Sequence, residues 1–216
     1  MSPLSLLTQD SSSFILWILA IVYGITVHEF SHAFAAVSLG DPTPERQGRV
    51  TLNPMAHIDI TGMLFLVIVG FGWGRPVEFN PHNLKHPRRD GSLIAIVGPL
   101  SNFLSAGIFA LLGSMYVHAT GAGPENLLIQ FLILLVVINV GLGVFNLLPI
   151  PPLDGSRLLV ALLPDYGAYY DFKVWLERTG PFLLLGLLII DRVLGINIFG
   201  FLFNLIWSLS GSILTF

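Results

Sequence analysis

Charged residues are clustered along the chain, and six long uncharged runs separate the clusters. The runs cover residues 11–27, 60–74, 91–124, 126–153, 179–190 and 193–216. A helix needs about 20 apolar residues to cross the hydrocarbon core of a bilayer. The third, fourth and sixth runs reach this length, and the first reaches it when the helix continues through Leu39. These four runs are predicted to be membrane-spanning helices.

Two of the remaining apolar segments are too short to cross a bilayer by themselves. The segment 63–73 is interrupted by glycine near its end, which favours a short or re-entrant element over a full span. The run 179–190 can cross only if flanking charged residues are included, and we predict a fifth span there. The pattern therefore predicts an all-α polytopic membrane protein with about five to six transmembrane helices.

The composition agrees with a membrane protein and excludes other classes. Of 216 residues, 54% are hydrophobic and only 11% are charged, less than half the charged share of soluble domains. Such a chain cannot coat a water-soluble surface, and its apolar content also excludes disorder. The net charge of −3 supplies no basic footprint for nucleic acid. Because cysteine is absent, any metal must be bound by His, Asp or Glu.

The distribution of positive charge predicts how the helices are oriented. Lys and Arg occur in the connections 40–90 and 165–178, whereas the turn 119–125 has neither. The positive-inside rule therefore places the amino terminus and that turn outside, and the two longer connections in the cytoplasm. Arg192 departs from this pattern. The predicted location is the cell membrane, with several passes.

The first apolar segment contains an H-E-x-x-H motif, with His28, Glu29 and His32 in the three defining positions. Residues four apart lie on one face of a helix, so both imidazoles can reach one ion while Glu29 leans over the same site. This arrangement is typical of zinc proteases, in which three protein ligands leave one position for water. Polar groups within an apolar helix are costly unless they are paired or bound to an ion. We therefore favour a metal site over a chance pattern.

The leading candidate for the third ligand is Asp154, because no other carboxylate lies between Glu125 and Asp165. Three prolines precede it in the run 146–155, and they should unwind the helix there. Unwound backbone at membrane depth is tolerated only against protein or a wet cavity. The alternative is a loop in which Asp154 is the N-cap of a helix over 156–163.

The depth of these residues along their helices gives an independent check. His28 lies 14 residues after Phe14, which is about 21 Å of helix and places it in the cytoplasmic half. The helix predicted over 126–148 runs in the same direction, so Asp154 arrives on the same side. That helix is long enough to cross fully, so Asp154 reaches the histidines only if the helix tilts or the proline segment folds back.

Several other polar residues have two interpretations. His82 and His86 are also four apart, but prolines bracket them and no Glu occupies the place that the motif requires, so loop histidines are favoured over a regulatory metal site. His57 is expected to order its loop. Asn102 either stabilises a tetrahedral oxyanion or bonds across helices, and the sequence does not separate these roles.

Five ordered motifs together resemble the site-2 protease family of intramembrane zinc metallopeptidases, in its minimal form without PDZ or CBS domains. They are HEFSH at 28–32, GRVTLNPMAHID at 48–59, GWGRPV at 72–77, GPLSN at 98–102 and NLLPIPPLDG at 146–155. The resemblance implies one Zn²⁺ per chain, held by His28, His32 and Asp154, with Glu29 as the general base. It also implies a membrane-dipping β-hairpin at 74–87 and a substrate-binding role for Asn146.

These features predict an intramembrane zinc endopeptidase that cuts transmembrane segments of other proteins within the lipid bilayer. We expect residues 1–216 to form a single domain, with a catalytic core at 12–165 and C-terminal helices at 174–216, and the first helix to be retained because no signal-peptide pattern is evident. One alternative is a catalytically silent homologue that binds membrane proteins through the same cleft. A metal transporter is disfavoured, because the runs 91–124 and 193–216 contain no Asp or Glu.

Overall fold

The computed structural model describes residues 10–194, 201, 204–208 and 210, and seven α-helices lie within the first of these ranges. They are α1 (Ser11–Ser38), α2 (Thr43–Arg46), α3 (Ile60–Val69), α4 (Pro87–Thr120), α5 (Leu127–Asn146), α6 (Asp154–Leu162) and α7 (Ala168–Leu194). Two 3₁₀ helices, Pro54–Ala56 and Pro81–Asn83, lie in the connections.

Short polar side chains and glycines set several of the helix ends. Asp10, Asp59 and Asn126 are the N-caps of α1, α3 and α5, and each side chain accepts a hydrogen bond from a backbone N–H in the first turn. These bonds satisfy donors that have no partner within the helix. Gly70 and Gly121 end α3 and α4 in the left-handed conformation that glycine adopts most easily.

Three helices, α1, α4 and α5, are long and apolar enough to cross a membrane. They coincide with the first, third and fourth uncharged runs, so the prediction of helices there is confirmed. Helix α7 includes the run 179–190 but is not among the three, and most of the run 193–216 lies outside the described residues. The predicted total of five to six spans is therefore not confirmed.

The same three helices pack against one another and form the core. Small residues line their contacts: Ala106 and Ala110 of α4 pack on Val136 and Val140 of α5, and Ala20 of α1 packs on Leu132 and Leu135 of α5. Small side chains let helix backbones approach closely, as is common between helices in membranes. Large apolar side chains such as Leu104 and Leu111 of α4 face outward, where a lipid environment would cover them.

The run 60–74 forms a short helix followed by a returning segment. Helix α3 has 10 residues, about 15 Å of helix, which is too short to cross and confirms that this run is not a full span. The chain then comes back along α3, because a Cβ at Gly62 would lie 2.1 Å from the carbonyl oxygen of Trp73. Gly62 is therefore required for this close approach.

The β-hairpin implied at 74–87 is not confirmed, because the described residues contain no β-strand and only an isolated antiparallel bridge between Ile58 and Gly74. Residues 75–80 have no regular secondary structure, and their backbone amides donate to several separate parts of the chain: Arg75 to His57 O (2.7 Å), Val77 to Glu29 Oε2 (2.9 Å) and Asn80 to Asp41 Oδ2 (2.6 Å). Pro76 and Pro81 have no N–H to donate to a partner strand. The segment is consequently held by side chains and loop carbonyls, without a second strand.

Candidate metal centre

Helix α1 presents His28 and His32 on one buried face, one helical turn apart. The two residues are 6% and 7% exposed, and their Nε2 atoms lie 3.0 Å from each other. The i, i+4 spacing of the motif therefore directs both imidazoles to one point, as predicted from the sequence.

Asp154 lies at the first position of α6 and reaches the same point. Its Oδ2 is 3.0 Å from His28 Nε2 and 3.2 Å from His32 Nε2. The N-cap of α6 is Leu153, and it makes no side-chain cap, so the interpretation of Asp154 as an N-cap is wrong.

The proline segment between α5 and α6 brings Asp154 back to the histidines. Helix α5 ends at Asn146, and residues 147–153 turn back on it. A Cβ at Gly155 would lie 2.1 Å from the carbonyl oxygen of Leu147, so glycine is required where α6 starts against the end of α5. We predicted that Asp154 would reach the histidines through a tilted helix or a folded-back proline segment. In the structure, the proline segment folds back.

The three polar atoms fit a tetrahedral metal ion. Their separations are 3.0, 3.0 and 3.2 Å, whereas zinc bonds of about 2.0–2.1 Å hold tetrahedral ligand atoms about 3.3–3.4 Å apart. The triangle needs to open by only a few tenths of an ångström. Among the described residues, this is the one group of three or more His, Cys, Asp or Glu side chains that could hold a metal ion. Two imidazole nitrogens and a carboxylate oxygen are donor types that zinc prefers.

Metal binding requires the deprotonated form of Asp154, and an aspartate is ionised at neutral pH in water. Its Oδ2 faces the Nε2 atoms of both histidines. Two neutral imidazoles and a carboxylate would therefore present three lone pairs to one cation.

One face of α4 supports the histidine pair. Ile94, Gly98 and Asn102 are spaced four apart and so lie along one side of the helix. The carbonyl oxygen of Ile94 is 2.7 Å from His32 Nδ1, and Asn102 Oδ1 is 2.7 Å from His28 Nδ1. Each imidazole is thus held at Nδ1 by α4, which is the usual way in which proteins orient metal-binding histidines.

Asn102 takes part in a cross-helix network, the second of its two predicted roles. Its amide nitrogen donates to Gly24 O (3.1 Å) and to Asn139 Oδ1 (2.9 Å). Sequence reasoning did not single out Asn139, which is fully buried in the middle of α5. An amide in the centre of an apolar span is costly unless it is bonded, and this is the signal that could have identified it.

Glu29 is half-buried and follows His28 on α1. Its Oε2 accepts a hydrogen bond from the backbone N–H of Val77 (2.9 Å). The buried guanidinium of Arg49 fixes the adjacent backbone, because it donates to the carbonyl oxygens of Pro76 (2.8 Å), Arg75 (3.3 Å) and Ala56. The loops that follow α1 and α3 are therefore tied together beside Glu29.

The remaining predicted residues lie outside the triangle. Asn146 is the last residue of α5, where its side-chain nitrogen donates to Leu142 O (3.0 Å). The side chain of His57 contacts Thr51 O (2.8 Å), in agreement with a loop-ordering role. His82 lies in the second 3₁₀ helix and His86 is the N-cap of α4, and the structure does not bring either of them to the metal-binding group.

Comparison with known proteins identifies the family. The sequence model of peptidase family M50 matches residues 114–187, a range that includes Asn146 and Asp154. YwhC of Bacillus subtilis (strain 168), named as a candidate zinc metalloprotease, is 40% identical over 153 residues, which cover 68% of this chain and 68% of YwhC. Rip2 of Mycolicibacterium smegmatis, named in the same way, is 33% identical over 152 residues, covering 68% of this chain and 56% of Rip2.

A more distant relative is MJ0611 of Methanocaldococcus jannaschii, also named as a candidate zinc metalloprotease, with 29% identity over 147 residues that cover 68% of this chain and 70% of MJ0611. No solved structure matches the chain. The identity to YwhC over two thirds of its length confirms the resemblance drawn from the five motifs, and the chain belongs to peptidase family M50, the family of the site-2 proteases.

Proposed function

We propose that this protein is an intramembrane zinc endopeptidase that hydrolyses peptide bonds in or near the transmembrane segments of other membrane proteins. The observation that carries the proposal is the triangle of His28 Nε2, His32 Nε2 and Asp154 Oδ2, which lies within a bundle of helices long enough to cross a bilayer. The names of the relatives, as zinc metalloproteases, support the choice of metal.

Each polar group near the triangle has a distinct role in this proposal. His28, His32 and Asp154 hold one zinc ion per chain, which when bound polarises a peptide carbonyl and lowers the pKa of water. Glu29 is the general base: its carboxylate takes a proton from water and gives it to the leaving amine. The N–H of Val77 holds one oxygen of that carboxylate and so restricts its rotation.

The proposed site lies in the cytoplasmic half of the membrane, with the amino terminus outside. His28 is 17 residues beyond the start of α1, about 26 Å along a helix of about 42 Å. The basic residues Arg46, Arg88 and Arg89 lie just after α1 and at the start of α4, so both helices have their positive end near the histidines. The positive-inside rule places that end in the cytoplasm.

Water is required for hydrolysis, and a cavity beside α6 offers a route for it. The cavity has a volume of about 590 Å³ and is lined by Pro151, Pro152 and Ser156, which flank Asp154 in sequence, and by charged residues including Arg157 and Lys173. Charged side chains keep such a space hydrated. The lining is partly charged and includes residues that flank a proposed zinc ligand in sequence, and both features support entry of water from this side.

The proposed substrates are transmembrane proteins, and their helices must unwind before cleavage. A membrane helix bonds its own carbonyls internally, so a zinc site cannot reach them until the segment unwinds. Asn146 stands where α5 ends and the proline segment begins, and we assign it to binding of the unwound substrate. We assign residues 12–165 to the catalytic core, because the proposed zinc ligands, the general base and Asn146 all lie within that range.

The proposal is tested by measuring zinc content and cleavage together in full-length protein reconstituted into liposomes. Glu29→Gln keeps the size of the side chain and removes the base, so it should retain about one zinc per chain and lose proteolysis of a co-reconstituted transmembrane substrate. Asp154→Asn should lose both. Full proteolysis in Glu29→Gln would falsify the mechanism, and zinc-loaded parent protein that leaves every tested transmembrane substrate intact would favour the silent homologue.

A further inference from the structure

Two fully buried asparagines connect His28 to a helix that carries no metal ligand. Asn102 on α4 and Asn139 on α5 are both 0% exposed. Burial of an amide is costly unless its donors and acceptor are bonded. The hydrogen bonds of Asn102 and Asn139 therefore show which way each side-chain amide faces.

The direction of the network is set by two backbone carbonyls, which can only accept hydrogen bonds. Asn139 Nδ2 donates to Leu135 O (2.7 Å), so the amide oxygen of Asn139 faces Asn102. Asn102 Nδ2 then uses one hydrogen for Gly24 O (3.1 Å) and the other for Asn139 Oδ1 (2.9 Å). Neither amide can be turned over without placing an oxygen against an oxygen.

This direction determines the tautomer of His28. Because both hydrogens of Asn102 Nδ2 are used in these bonds, Asn102 Oδ1 faces His28 Nδ1 at 2.7 Å. An amide oxygen only accepts hydrogen bonds, so His28 Nδ1 carries the hydrogen. A neutral imidazole has one N–H, which leaves a lone pair on His28 Nε2. That lone pair points to the atoms of His32 and Asp154 that complete the triangle.

The opposite tautomer of His28 would block the metal site. A hydrogen on His28 Nε2 would lie among the three ligand atoms, where it would bond to Asp154 Oδ2 or His32 Nε2 and occupy the place of the metal. His32 needs no such device, because its Nδ1 faces the backbone carbonyl of Ile94 directly. His28 has an amide partner instead, and an amide is held in one orientation only by its other bonds.

We propose that Asn139 is a positioning residue for the zinc site: acting through Asn102, it fixes the tautomer of His28 that can bind metal. The inference rests on the proposed function, since it concerns the same site. The packing between α1 and α5 fits this role, because a Cβ at Gly24 would lie 2.6 Å from Leu142 and 3.5 Å from Asn139 Oδ1. Glycine at this position lets α5 bring Asn139 within reach of the network.

The test compares zinc affinity among variants of the full-length protein in detergent micelles, by competition with a chelator. Asn139→Leu removes the acceptor for Asn102 Nδ2 and should weaken zinc affinity about tenfold or more, the range found when partners of metal ligands are removed. Asn139→Asp, as the buried neutral acid, keeps an oxygen towards Asn102 and an O–H towards Leu135 O, so its affinity should stay within about threefold of the parent. The absorption spectrum of Co²⁺-loaded protein should change in Asn139→Leu and stay the same in Asn139→Asp.

The chain offers a matched control and a second variant that disturbs the helix less. Gln130 lies in the first turn of the same helix and donates to the carbonyl oxygen of Pro124 (3.2 Å), so Gln130→Leu should leave zinc affinity unchanged. If Asn139→Leu does not fold, Asn139→Thr replaces it, because a threonine bonds the i−4 carbonyl, as Thr26 does in α1 (2.6 Å), but is too short to reach Asn102. It should show the same loss.

The outcomes separate this inference from the proposed function. If folded Asn139→Leu or Asn139→Thr binds zinc as tightly as the parent while His28→Ala does not, the role of Asn139 is refuted and the metal site stands. If His28→Ala itself binds zinc normally, the proposed site is refuted.

Discussion

Gly98 and His32 are so close that a Cβ on Gly98 would lie 2.4 Å from His32 Nε2 and 2.8 Å from His28 Cε1. Gly98→Ala should therefore push the imidazoles apart and reduce zinc affinity by about tenfold or more, as metal sites require precise ligand placement. Alanine favours the helix by up to about 1 kcal/mol relative to glycine, so loss of helix is not the expected cause. Zinc titration by chelator competition measures the effect.

A second glycine of α4 provides the control for this experiment. Gly107 has nothing within 4 Å of the position of an added Cβ, so Gly107→Ala should bind zinc like the parent. Equal zinc affinity in the Gly98 and Gly107 variants would show that the imidazoles do not need the space that Gly98 leaves.

Arg49 ties together the loops beside Glu29, so its removal should lower stability and activity without changing metal binding. Arg49→Met keeps most of the side-chain length but leaves the carbonyls of Ala56 and Pro76 without their donor. We expect the free energy of unfolding to fall by about 2–4 kcal/mol and proteolysis to decrease, with zinc content unchanged because Arg49 does not touch the triangle. Unfolding followed by tryptophan fluorescence measures the first effect.

Arg46→Met is the control for Arg49→Met, because Arg46 is exposed on α2. It should change the free energy of unfolding by no more than about 0.5 kcal/mol. A similar loss of stability in both variants would contradict the specific role given to Arg49.

Removal of the metal should destabilise the fold, since a ligand that binds only the folded chain stabilises it by mass action. A free zinc concentration of about 100 times Kd stabilises by about 2.7 kcal/mol, which for a chain of this size is a change in Tm of about 5–10 °C. A chelator should lower Tm by this amount, and added zinc should restore it. The variant Asp154→Asn should not respond to the chelator, and a response equal to that of the parent would contradict the assignment of Asp154.

Asp41 should make stability depend on pH in the acid range. It is fully buried and accepts hydrogen bonds from Thr43, Asn80 and Asn83. Burial raises the pKa of Asp41, but these hydrogen bonds lower it further than burial raises it, so the net pKa lies below the ordinary value. A lowered pKa in the folded state stabilises the fold above the unfolded pKa of about 3.9, and this contribution is lost as pH falls through the folded pKa.

The difference in free energy of unfolding between the parent and Asp41→Asn should therefore be constant between about pH 5 and 7 and shrink below about pH 4. Thermal unfolding across this range measures it, and Asp171→Asn, which removes an exposed carboxylate from α7, corrects for the loss of one charge. A difference that grows as pH falls would contradict the account.

Local sequence properties predicted much of the site. The length of an uncharged run and the spacing of His28 and His32 depend only on the chain itself, so three long helices and the imidazole pair could be predicted. Asp154 could be predicted by elimination, although the path that brings it back depends on the turn at 147–153 and on the space at Gly155.

The proposed roles of Gly98 and Asn139 depend on long-range geometry. Which faces of α4 and α5 meet α1 is set by how the helices rotate and pack, and no spacing along one helix determines this. The implied hairpin illustrates the same limit, because the amides of Val77 and Asn80 donate to carboxylates on distant parts of the chain. Only the assembled loops reveal these partners.

The most direct test of the central claim is the X-ray absorption spectrum of the zinc-loaded protein at the zinc edge. We expect four nitrogen or oxygen ligands, two of them imidazoles, with one imidazole lost in His28→Ala and in His32→Ala. His82 and His86 have the same spacing but lie away from the triangle, so alanine at both positions should leave the spectrum unchanged. A spectrum that loses imidazole scattering in that double variant, and keeps it in His28→Ala and His32→Ala, would contradict the account.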